Sequence, residues 1–81
     1  MNHNKITRTF LTFPAIEEIT IGFTYNEIFL YVRSLWSHGF LSDENALGYL
    51  RELKRFASEV NEADRFPKEA DQFIFLLGGG R

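Results

Sequence analysis

Arg51, Lys54 and Arg55 are three cations within five positions, the closest this chain comes to a cluster that could do chemistry. A guanidinium or ammonium group can hold a phosphate or a carboxylate, so the cluster suits contact with an acidic partner. The competing interpretation is a solvated helix face, neutralised in part by Glu52 and by Glu59, four residues beyond Arg55. Catalytic chemistry has less to draw on. His3 stands near the N-terminus, and His38 reads as a helix-end cap rather than a general base. The acidic residues are mostly strung along the second half of the chain, and no His or Asp cluster has metal-ligand spacing. Gly78, Gly79 and Gly80 have no helix after them, so they do not form the usual phosphate cradle. The expectation is a protein that is not an enzyme and uses no cofactor or metal.

The elements that would carry these residues follow from periodicity. Residues 5–13, "KITRTFLTF", and 18–24, "EITIGFT", alternate β-branched and aromatic residues with polar ones, with Pro14 and Glu17-Glu18 between them. This pattern predicts a β-hairpin. Thr24-Tyr25-Asn26-Glu27 fits a capping box, and Tyr25, Ile28, Phe29, Val32, Leu35 and Trp36 follow at helical spacing. Leu30 and Tyr31 widen that stripe almost to a full circle, which predicts a helix buried on more than one side and stopped by Gly39. A second helix begins at Ser42-Asp43-Glu44. It buries Ala46, Leu50, Leu53, Ala57 and Val60 and turns Arg51, Lys54 and Arg55 outward. Gly48, about 1 kcal/mol less favourable than alanine in a helix, suggests a close approach by the first helix. After Pro67, residues 68–77 fit either a short helix capped by Gly78 or a central strand over Phe73–Leu77, and in either form Phe73, Ile74, Phe75 and Leu77 are expected to complete the core.

Eighty-one residues suit one domain, 1–81, with loose ends at 1–4 and 78–81. A chain this short needs large side chains to fill its core, and it has nine Phe, three Tyr and one Trp. There is no cysteine, hence no disulfide or thiolate zinc site to reinforce that core. The net charge of −2 argues against bulk nucleic-acid binding. The polar "MNHNKITRTF" lacks the apolar core of a signal peptide, and Phe73–Leu77 is too short to span a bilayer. A cytoplasmic protein without membrane attachment is expected. The fold class is expected to be α+β, an N-terminal hairpin packed on two helices with a short C-terminal strand or helix.

Two resemblances bear on function. The stretch "ADQFIFLLGGG" resembles the last strand and tail of ubiquitin-like (β-grasp) small sulfur carriers. That family includes the small subunit of molybdopterin synthase, the thiamine-pathway sulfur carrier and archaeal ubiquitin-like modifiers. The order of a hairpin followed by an amphipathic helix agrees with it. The resemblance implies a terminal glycine carboxylate that a partner enzyme adenylates, with Gly79 and Gly80 as the working end once Arg81 is removed. The order strand 18–24, helix, glycine turn, second helix is also similar to ribbon-helix-helix DNA-binding regulators, which implies a dimer reading bases from its paired strands.

The favoured function remains a small protein-binding module, an adaptor, inhibitor or regulator that docks on a partner macromolecule. Its expected contact residues are Tyr31, Trp36, Arg51, Lys54 and Arg55, because aromatics and arginine dominate interface energies. Self-association as a homodimer would use Tyr31 and Trp36, and nucleic acid is the weaker candidate partner.

Overall fold

The computed structural model describes residues 15–78, and among these there is no strand. The order is α1 (Ile16–Gly22), α2 (Tyr25–Ser37), α3 (Asp43–Glu59), a 3₁₀ turn (Ala63–Arg65) and α4 (Lys68–Leu77). The α+β expectation is therefore corrected to an all-helical architecture over the described residues. The run 5–13 lies outside the described residues.

Residues 18–24, expected as a strand, lie mostly in α1. A lone strand leaves its backbone donors unpaired, whereas a helix satisfies its own. Glu17 and Glu18 stand in the first turn, where negative charge suits the helix dipole. The Thr20 hydroxyl donates to the Ile16 carbonyl at 2.8 Å. Ile16 and Ile19, three apart, turn toward α2 and α3, while Ile21 and Phe23 are 86% and 57% exposed. The alternation was present, but tertiary packing used a different subset of it.

The two longer helices begin where their caps predict. Thr24 Oγ1 accepts from the Glu27 amide while the Glu27 carboxylate accepts from the Thr24 amide, completing the capping box. Ser42 Oγ accepts from Asn45 at 3.0 Å and starts α3. Both helices end in Schellman turns. Phe40 N donates to Leu35 O at 2.8 Å and Gly39 N to Trp36 O at 3.1 Å, around Gly39 at φ 84°. At the end of α3, Glu62 N donates to Ala57 O at 2.7 Å and Asn61 N to Ser58 O at 3.2 Å. Asn61 takes the left-handed position there at φ 62°, a conformation asparagine tolerates better than most residues. The C-terminal ambiguity resolves as a helix, with Pro67 as N-cap and Gly78 as C-cap of α4.

The core lies between α2, α3 and α4. Ile28, Phe29 and Val32 of α2 meet Ala46, Leu50, Leu53 and Ala57 of α3, with Ala70 of α4 closing the group. Phe73 stands edge-on to Phe29 at 5.7 Å and to Trp36 at 5.0 Å, joining α4 to α2. The molecule measures 45 × 30 × 17 Å, so its thin dimension holds about two helix layers at 8–10 Å spacing. In so thin a body each helix keeps an outer face in water. The expectation that α2 is buried on more than one side does not extend to Leu30 and Tyr31, which are exposed. Phe75, expected in the core, is exposed, and so is Val60, which follows the last turn of α3.

Gly48 is corrected as well. A Cβ there would meet nothing within 4 Å, so no helix approaches it. Gly48→Ala should stabilise the protein by about 0.5–1 kcal/mol, read as a rise in the urea midpoint without a change in slope. No described helix is long and apolar enough to cross a membrane.

Candidate docking surface

The three cations predicted for contact lie on the solvent side of α3, and each has a different environment. Lys54 Nζ is 2.6 Å from Asp71 Oδ1 on α4. That oxygen is shielded from water and receives no well-directed hydrogen bond, so the contact is chiefly ionic. Arg55 reaches Glu59 at 3.8 Å along the same helix, a loose pair of a kind worth about 0.3–0.5 kcal/mol. Arg51 has neither an ion pair nor a hydrogen bond among the described residues. Glu52, expected to help neutralise the cluster, forms no ion pair with it. Burial first, and the Glu52 charge second, instead raise the pKa of the Tyr49 hydroxyl.

Arg51 and Lys54 form one side of an open cleft of about 270 Å³ between α3 and α4. Asp71, Ile74, Phe75 and Gly78 form the other. Arg51 lies against the end of α4, where a Cβ on Gly78 would come within 3.2 Å of Nη2. The last turn of α4 holds no basic residue, so Arg51 places positive charge beside its terminal carbonyls from the neighbouring helix. Phe75 is 56% exposed and Leu76 70% exposed. Sequence reasoning assigned Phe75 to the core, yet the stripe Ala70, Phe73, Ile74, Leu77 at i, i+3, i+4, i+7 already leaves positions 75 and 76 off the inner face.

The remaining predicted residues are not gathered into this cleft. Tyr31 is on the outer face of α2, beside Leu30. Trp36 is half-buried against Phe73, and its Nε1 donates to Asp43 Oδ1 at 2.6 Å, tying the end of α2 to the start of α3. Its indole is thus engaged within the chain. Trp36→Phe should lower stability by about 1 kcal/mol through loss of that hydrogen bond, measured by denaturant unfolding. Gly79 and Gly80 lie outside the described residues.

A second cleft, about 510 Å³, lies at the junction of α1 and α2. The exposed Ile21 and Phe23 line it together with Tyr25, Glu62 and Arg65. The Tyr25 hydroxyl donates to Glu62 Oε1 at 2.6 Å, and Arg65 stands 3.7 Å from the same carboxylate. This network joins α2 to the connection after α3, and the ring of Tyr25 packs edge-on against Phe66.

His38 Nδ1 lies 2.8 Å from the Ser34 carbonyl oxygen, at the cap of α2. Among the described residues there is no group of three His, Asp or Glu side chains able to hold a metal ion.

No family model matches the chain, and neither a curated protein nor a solved structure does. The β-grasp resemblance is overturned by the fold. That family needs a sheet with a final strand, and residues 68–77 are instead helical. The ribbon-helix-helix resemblance loses its reading strand for the same reason, because Ile16–Gly22 is α1.

Proposed function

We propose that this chain is a small helical docking protein that acts by binding a partner protein, as an adaptor, inhibitor or regulator. The observation that carries this is the exposed Phe75 sharing one cleft with Arg51, which has no ion pair among the described residues. Phenylalanine and arginine are both enriched at protein interfaces, and arginine is among the residues that dominate their binding energy. Exposed Ile21, Phe23, Leu30 and Tyr31 extend the apolar surface on the α1 and α2 sides.

Affinity capture on the tagged full chain, read by intact-mass analysis, tests the proposal. A protein partner should be retained in stoichiometric amount. Phe75→Ser should weaken its retention while leaving the thermal melt within a few degrees, because a surface change away from caps and core costs about 0.5 kcal/mol or less. Failure to retain any protein, from any extract in which the chain is naturally made, would remove the docking function.

A further inference from the structure

We propose that the α3–α4 cleft receives one acidic residue and an adjacent large apolar residue from a linear segment of the partner protein. The inference rests on the docking function and specifies its occupant. Of the cleft's charges, Asp71 already holds Lys54, while Arg51 has no described partner. A guanidinium presents a planar fork of donors that matches a carboxylate in two parallel hydrogen bonds. Exposed Phe75 and half-buried Ile74 stand across from it, offering apolar surface that a carboxylate alone would leave wet. At about 270 Å³ the cleft is open and shallow, suited to side chains of an extended segment and too small for a folded element.

Charge complementarity selects a carboxylate over a nucleic-acid backbone. Phosphodiester binding draws on several cations at once, and its affinity scales with their number. Here one cation, Arg51, has no ion pair among the described residues, and the cleft also contains Asp71 and abuts the negative end of α4. A run of phosphates would bring several negative charges to these groups with only Arg51 to offset them, whereas a single carboxylate is matched by that one guanidinium. The apolar wall has no counterpart in a phosphate backbone, but it complements Phe, Leu or Trp beside the acid.

The experiment is selection of a random linear peptide library displayed on phage against the full chain, followed by anisotropy titration of the enriched peptides as synthetic, labelled probes. Enriched sequences should place Asp or Glu within two positions of Phe, Leu or Trp. Arg51→Gln should weaken them about tenfold or more, the scale of a lost charge-assisted hydrogen bond. Phe75→Ser should weaken them comparably, and Arg51→Lys less than Arg51→Gln. Because Arg51 also lies against the end of α4, a charge swap separates recognition from stability. Peptides whose acid is replaced by Lys should bind Arg51→Glu more tightly than they bind the unsubstituted protein.

Absence of enrichment, enrichment without acids, or affinities indifferent to Arg51→Gln and to the swap would overturn the cleft assignment. Partner capture would then still stand on its own. Duplex DNA or inorganic phosphate competing for the cleft more strongly than the peptides would overturn it as well, in favour of a phosphate ligand.

Discussion

Phe29→Ala should destabilise the protein by about 3–5 kcal/mol, enough to leave much of it unfolded at 37 °C. Phe29 is 1% exposed, in the middle of α2. It stands edge-on to Phe73 at 5.7 Å, and the Arg33 guanidinium lies 5.3 Å from its ring centre. Truncation removes the transfer energy of the ring, opens a cavity and strips Phe73 of an aromatic neighbour. A domain of 81 residues has a total stability of only about 4–12 kcal/mol, so the loss is of the same order as the whole. At about 4–8 °C per kcal/mol the melting temperature should fall by some 20 °C, as measured by circular dichroism. Phe75→Ala is the matched control. It removes the same ring from an exposed position and should cost about 0.5 kcal/mol or less. Equal losses at the two positions would mean that the core does not lie between α2, α3 and α4.

Alkaline pH should unfold the protein through Tyr25, and Tyr25→Phe should remove most of that sensitivity. Burial first, then the hydrogen bond and the charge of Glu62, push the Tyr25 hydroxyl up to about 12, against a smaller lowering by Arg65. In the unfolded chain the same hydroxyl ionises near 10. The neutral phenol therefore contributes stability that is fully present below pH 10 and is lost as pH rises through 12. Urea midpoints at pH 9, 11 and 12 should fall steeply for the unsubstituted protein. For Tyr25→Phe they should start lower, because the hydrogen bond to Glu62 is gone, and then decline more gently. Tyr49, raised in the same direction by burial and by Glu52, contributes to the remaining slope, and Tyr49→Phe isolates its share. Parallel slopes for Tyr25→Phe and the unsubstituted chain would show that the Tyr25–Glu62 contact does not form.

The Tyr25–Glu62 contact also illustrates what was hidden from sequence. Thirty-seven positions separate the two residues, and neither type announces the other. Glu62 reaches Tyr25 because Asn61 adopts the left-handed conformation that ends α3 and turns the chain back. Asparagine at that position is a detectable signal, weaker than the glycine at 39, and it was not read. The setting of Trp36 was hidden for a similar reason. As the single tryptophan, on a helix that looked apolar all round, it suggested a contact surface, and its packing on Phe73 depends on where α4 lies. Of the contact residues proposed from sequence, Arg51 and Lys54 do share a cleft, but its apolar half, Phe75, had been assigned to the interior.

Local chemistry alone determined α2 and α3 almost to the residue. Caps such as Thr24, Ser42 and Gly39 act through hydrogen bonds within a few positions, and a stripe such as Ala46, Leu50, Leu53 and Ala57 is a property of the helix itself. Tertiary structure decided the state of the short runs 16–22 and 68–77, whose β-branched and aromatic residues suit either a strand or a helix. A strand must find a second strand to satisfy its backbone, whereas a helix needs only a surface on which to lay one face. In the described chain α3 supplies that surface to both. Tertiary structure also decided which apolar residues remained in water, because a body about two helices thick cannot enclose every side of what it packs.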